Sequence, residues 1–156
     1  MKGEGIKLVT QNRKARHEYE ILETYEAGII LAGSEVKSIR AGHAQLNEAY
    51  ARVDDGELWM FQAHISPYSF ATTDPPEPDR KRKLLLHQKE IAQLANRVDR
   101  ERLALIPLSL YFKNGRAKVE LALAKGRKKY DKRQAIAKRD AERDTERTLA
   151  RRTKGH

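Results

Sequence analysis

The sequence predicts a mainly β domain, a small antiparallel barrel with two helices, followed by a basic C-terminal tail. Three observations carry this. Short stretches of alternating apolar residues recur along residues 1–124, and two tight-turn signals, Asp55-Gly56 and Asn114-Gly115, punctuate them. Helical periodicity is confined to two segments, so the strand–helix–strand alternation of a parallel sheet is absent. The charge is also uneven. Residues 125–156 hold thirteen Lys or Arg and five Asp or Glu, a balance of +8 within a total of +10. Residues 1–124 carry nineteen basic and seventeen acidic side chains and are close to neutral.

The elements follow in order. Residues 19–31, rich in Tyr, Ile and Leu, predict two strands joined or bent at Gly28. Ser34 predicts an N-cap for a short helix that buries Val36 and Ile39, exposes Lys37 and Arg40, and stops at Gly42. Residues 46–54 and 57–65 predict a hairpin about Asp55-Gly56. In its second arm Leu58 and Met60 share one face and Trp59 and Phe61 the other, which predicts cover on both sides. Four prolines between Ser66 and Asp79 predict a surface loop running into the basic cluster Arg80 to Lys83. Residues 87–99 predict the clearest helix, with Ile91, Leu94, Ala95 and Val98 on one stripe. Two strands complete the barrel. Over 106–112, Ile106, Leu108, Leu110 and Phe112 alternate with smaller or polar residues; over 117–123, Ala117, Val119, Leu121 and Leu123 face away from Lys118 and Glu120. The total is roughly six strands.

The tail differs in kind. Arg139, Arg143, Arg147 and Arg151 recur every four residues, yet Tyr130, Ile136 and Leu149 are its only large apolar side chains. This composition predicts a segment that is disordered alone and helical on a polyanion. The domain boundary is therefore placed between residues 124 and 125.

Composition narrows the function. A chain of 156 residues is about one domain. It has no Cys, which excludes disulfides, thiolate metal sites and thiol chemistry. The N-terminus leads into no apolar h-region and no stretch reaches membrane-spanning length, so a soluble, cytoplasmic protein without a membrane partner is expected. There is no glycine-rich phosphate loop, no His pair at metal spacing and no nucleophile elbow. Neither a cofactor nor a metal is expected. His17 and Glu18 could be imagined as an acid–base pair, but adjacent side chains on a strand point to opposite faces. The chain is not expected to be an enzyme.

Binding fits the residues better. Arg13, Lys14 and Arg16 precede the first expected strand, Arg80 to Lys83 precede the long helix, and Lys118 lies on a polar strand face. His17, Tyr19 and Tyr25 add planar groups for base stacking, although each tyrosine also suits a barrel position with a wet hydroxyl. Basic sites on a small barrel point to RNA recognised by shape and phosphate contact. Two other readings stay open on these residues: a ribosomal or rRNA-chaperone protein with a basic extension, and a small ribonuclease using His17 or His64.

Specific motifs go further. They are Asn12-Arg13-Lys14-Ala15-Arg16-His17-Glu18-Tyr19, Glu26-Ala27-Gly28, Glu35 to Gly42, Arg82 to His87, Leu108 to Tyr111, and Ala124 to Arg133. Together they resemble the SmpB family of SsrA-binding proteins of bacterial trans-translation, over nearly the whole chain. The resemblance implies an OB-fold-like barrel that binds tmRNA and enters the vacant A site of ribosomes stalled without a stop codon. The tail would lie in the empty mRNA channel. The implied RNA-binding residues are Glu26, Leu85, His87 and Lys118, with Arg13, Arg16, His17, Arg40 and Lys83 as further candidates in matching motifs. The implied decoding-centre residues are Lys128, Lys129, Tyr130, Asp131, Lys132 and Arg133. His87 stands where some relatives carry Asn, and Tyr130 where some carry His. The implied partners are tmRNA, the ribosome through 16S rRNA, and elongation factor Tu bound to aminoacyl-tmRNA.

Overall fold

The computed structural model describes residues 5–67 and 76–127. The expected loop lies partly, and the tail from residue 128 wholly, outside the described residues. The strands are β1 (Ile6–Gln11), β2 (Tyr19–Ile29), β3 (Ala44–Gln45), β4 (Tyr50–Asp54), β5 (Glu57–Phe61), β6 (His64–Ile65), β7 (Arg82–Leu85), β8 (Ala104–Lys113) and β9 (Arg116–Gly126). The helices are α1 (Arg13–Glu18), α2 (Gly33–Arg40) and α3 (Gln88–Glu101). Neighbouring strands run antiparallel in the order β1-β8-β4-β5-β7-β2-β9, and β8 pairs with β9 to close the ring. The fold is the small, mainly β barrel that the sequence predicts.

Closure leaves few free edges and encloses one apolar interior. Leu58, Met60, Leu84, Val119, Leu121 and Leu123 are among its most buried large residues, with Leu94 of α3 and Ile39 of α2 sealing against them. Each such side chain contributes about 1.5–3 kcal/mol by leaving water. Both turn signals act as expected: Asp55 and Gly56 adopt φ of 54° and 78°, and Asn114 and Gly115 adopt 52° and 82°.

Several expectations are corrected. The helices number three among the described residues, not two. The basic run Arg13 to His17 forms α1, and β1 lies ahead of it, so this cluster does not precede the first strand. Asn12 starts α1: its side-chain oxygen accepts from the Ala15 N–H at 3.2 Å, while its Nδ2 donates to the Pro107 carbonyl at 3.1 Å. His17 and Glu18 consequently sit in a helix rather than on a strand.

Strand β2 runs unbroken through Gly28, and its irregularity falls between Ile21 and Glu23. A Cβ at Gly28 would stand 3.4 Å from the Leu85 Cβ, at the edge of ordinary van der Waals contact. Helix α2 is capped at Ala32, not Ser34, with the Glu35 carboxylate accepting the Ala32 N–H at 2.9 Å. The hairpin arms are shorter than expected: residues 46–49 form a turn ahead of β4, and residues 64–65 pair with residues 44–45 as the separate β3–β6 ladder. Trp59 and Phe61 are only half-buried, so β5 is not covered on both faces.

In β8 the expected single apolar face is split. The register shifts between Pro107 and Ser109, which turns Leu110 and Phe112 inward and Ile106 and Leu108 outward. The outward pair joins Ala122 and Ala124 in a second cluster covered by Ala15 of α1. The cluster Arg80 to Lys83 is not simply solvated. Arg82 lies in β7, fully buried, and its guanidinium donates to the Glu35 carboxylate at 2.9 and 2.7 Å.

Candidate nucleic-acid interface

The register places the outward-facing residues of four strands side by side. On β9 these are Lys118 and Glu120, opposite Gly28 and Glu26 of β2. Gly28 in turn faces Leu85 of β7. On the other side, Lys118 and Glu120 oppose Tyr111 and Ser109 of β8. Glu26, Leu85 and Lys118, which come from three strands far apart in sequence, therefore share one face. Lys83 stands beside Leu85 on that face of β7 and pairs with Glu57 at 2.9 Å. His87 follows two residues later as the N-cap of α3, exposed and making no side-chain cap.

Glu26 is the best-defined group here. The Tyr111 hydroxyl donates to its Oε2 at 2.5 Å, and the Lys113 ammonium lies 3.5 Å from its Oε1. Glu26 directly faces Glu120, a like-charge pair that would be destabilising without these donors. Ser109 donates to Glu120 at 3.3 Å. The Tyr111 hydrogen bond, and next to it Lys113 and Lys118, overcome partial burial and hold the Glu26 carboxyl below its ordinary pKa. Burial, and then the bond to Glu26, push the Tyr111 hydroxyl up. A groove of about 340 Å³ runs over this pair, bordered by the exposed Ile6 and Leu8 of β1. A fixed carboxylate beside apolar and aromatic surface can accept from a base amino group or a ribose hydroxyl.

Tyr111 is absent from the sequence-derived site, and its signal was available. Ser109, Tyr111 and Lys113 occupy the polar alternate positions of a strand whose other positions are apolar. Replacing Tyr111 by Phe is expected to raise the Glu26 pKa toward the ordinary carboxylate value, as read by carboxyl carbon shifts in an NMR titration. An unmoved titration would assign the depression to the lysines instead.

The other candidates are distributed around this face. Along β9 the outward positions Lys118 and Glu120 continue into Ala122 and Ala124, which α1 covers. Arg13, Arg16 and His17 are exposed on α1, the helix whose Ala15 packs on Ala122 and Ala124 of the same strand. Arg40 is not brought onto it. Its guanidinium lies 5.5 Å from the ring centroid of Phe112, an inward residue. Lys128, Lys129, Tyr130, Asp131, Lys132 and Arg133 fall outside the described residues. Among those described, no helix is long and apolar enough to cross a membrane.

A family model for SmpB protein matches residues 9–151. The chain belongs to the SmpB family. An SsrA-binding protein of Desulforudis audaxviator is 60% identical over 144 residues, covering 92% of this chain and 94% of that one. An SsrA-binding protein of Frankia casuarinae is 53% identical over 151 residues, covering 97% and 95%. A solved structure described as "tmRNA-SmpB: a journey to the center of the bacterial ribosome" is 48% identical, with a TM-score of 0.66 over 81% of this chain and 93% of that one. The family is one of RNA-binding proteins, not of enzymes, which sets aside the ribonuclease reading.

Proposed function

We propose that the chain binds tmRNA, the SsrA RNA, through the outward face of β2, β7 and β9, and delivers it to ribosomes stalled on mRNA lacking a stop codon. Family membership supports the RNA. The convergence of Glu26, Leu85 and Lys118 on one face is the observation that carries the surface. Shape selection falls to the rigid barrel, because A-form RNA offers a side chain little sequence information outside unpaired regions. Glu26 supplies a fixed acceptor, Lys118 a phosphate contact and Leu85 an exposed apolar surface for a base or sugar. Arg13, Arg16 and His17 on α1 extend the contact along the backbone, and Lys83 and His87 extend it toward α3.

The tail has a separate task. It occupies the empty mRNA channel and decoding centre, with Lys128 to Arg133 at the decoding site, so that trans-translation starts only where mRNA is missing. A segment with a balance of +8 enters a polyanionic channel only if no other polyanion fills it. Elongation factor Tu joins through aminoacyl-tmRNA, and the complex works in the cytoplasm.

Equilibrium binding to tmRNA tests the barrel. Glu26→Ala is expected to weaken it about tenfold, in line with the loss of one specific polar contact. Lys118→Ala should weaken binding and flatten its salt dependence by about one phosphate contact. Unchanged affinity in both variants would move the interface elsewhere. Sequencing RNA captured by the full chain separates tmRNA from bulk rRNA, which a ribosomal protein with a basic extension would retain instead.

A further inference from the structure

The outward faces of β4, β5 and β7 carry a second set of side chains. Register pairs Tyr50 with Phe61, Arg52 with Trp59, and Trp59 with Lys83, so these five share one surface while Ala51, Leu58, Met60 and Leu84 fill the core beneath. The Tyr50 and Phe61 rings stack at 5.3 Å between centroids and 14° between planes. The Arg52 guanidinium lies 4.7 Å from the Phe61 centroid, and the Lys81 ammonium 4.4 Å from the Trp59 centroid. Tyr50, Arg52 and Lys81 are exposed, and Trp59 and Phe61 half-exposed. Asp54 and Glu57 lie at the turn end of the hairpin, where Glu57 is held by Lys83.

We infer that this ladder is a stacking platform for unpaired bases of single-stranded RNA. Phe61 and Trp59 sit two residues apart on β5, about 7 Å, so two bases of one extended strand can each take a ring. Arg52 and Lys81 stand over the same rings and are placed to meet the phosphates between those bases. In the free chain Lys81 covers Trp59; a base that stacks there displaces the ammonium toward its own phosphate. A protein partner would favour an apolar centre depleted of charge, whereas here cations stand at the centre among the rings. The platform is also continuous with the face described above, since Lys83 pairs with Trp59 and is followed on the same side by Leu85, opposite Gly28. The inference rests on the reading of that face as the tmRNA interface, and it adds a site for unstructured RNA beside the site for folded RNA.

Trp59 is the only tryptophan of the chain, so its emission reports on the platform alone. The full-length protein is titrated with a short oligouridine, which cannot form the folded tRNA-like structure. Saturable quenching of Trp59 is expected. The double substitution Arg52→Glu with Lys81→Glu, at exposed positions, should weaken it tenfold or more, and Glu26→Ala should leave it unchanged. Oligouridine binding by anisotropy without any change in Trp59 emission would overturn the platform, because that binding lies elsewhere. Quenching that survives the charge reversal overturns it as well. Either failure leaves the tmRNA assignment standing if Glu26→Ala still weakens the folded RNA, so the two readings fail separately.

Discussion

Replacing Glu35 by Ala is expected to cost about 3–5 kcal/mol of stability, the penalty for leaving a buried charge without its partner. Arg82 is fully buried and Glu35 is 4% exposed, so neither group can recover its hydration. The guanidinium is satisfied on all sides. It donates to Glu35 and also to the carbonyls of Ala63 at 2.7 Å, Pro78 at 3.0 Å and Arg80 at 3.1 Å. Glu35 accepts from Arg80 as well, at 2.7 and 3.0 Å, and from the Ala32 N–H. One carboxylate thus joins the start of α2, the chain entering β7 and β7 itself. Burial alone would raise the Glu35 pKa; the bonds from Arg80, Ala32 and Arg82 outweigh it and hold the carboxyl below its ordinary value of 4.5. A depressed carboxylate contributes stability that is complete above the unfolded pKa and is lost as pH falls through the folded one. Urea denaturation should therefore show a large gap between wild type and Glu35→Ala at pH 7 that narrows as pH falls below the ordinary carboxylate value. The double replacement Glu35→Met with Arg82→Met should recover much of the loss, since no unpaired charge remains. A cost below about 1 kcal/mol at pH 7, with no pH dependence, would rule out the pair as a determinant of stability.

That pair also shows where sequence reasoning stops. Arg82 belongs to a run of four cations behind a proline-rich segment, and such runs are usually solvated. Its burial depends on Glu35, 47 residues away, which no local pattern announces. Helix α1 escapes for a related reason. It is six residues long, too short for periodicity to register, and its cap Asn12 is held by Pro107 at a separation of 95 residues. The bulge at Pro107 was hidden in turn by an alternation that looked unbroken from Ile106 to Phe112. The legible features were those whose cause is local. Asp55-Gly56 and Asn114-Gly115 form hairpin turns because these residues tolerate positive φ. Val119, Leu121 and Leu123 fall on the core face because a strand alternates every residue. The site lies between these cases. The identities of Glu26, Leu85 and Lys118 came from motif resemblance, but their convergence needs the β7–β2–β9 register.

Ending the chain after Arg127 is expected to abolish peptide tagging on stalled ribosomes while leaving tmRNA affinity nearly unchanged. The cut site follows from β9, which runs through Gly126 and pairs Lys125 and Gly126 with Glu20 and Tyr19 of β2. A truncation at residue 124 would remove those rungs and confound a barrel defect with a tail defect. Residues 128–156 carry eleven basic and five acidic side chains, so their removal takes most of the net charge and none of the Glu26 face. For every phosphate that the shortened chain no longer neutralises, the log–log salt slope of ribosome association should fall by about 0.7–0.9. Charge and motif can then be separated. Replacing Asp131, Lys132 and Arg133 together by Ala removes a single net positive charge, so association should persist while tagging falls if these side chains act at the decoding centre. A loss of tagging that only tracks a loss of association would instead make the tail an electrostatic tether. A truncated chain that tags at the wild-type rate would leave the tail with no part in sensing the channel, because the barrel alone would then suffice.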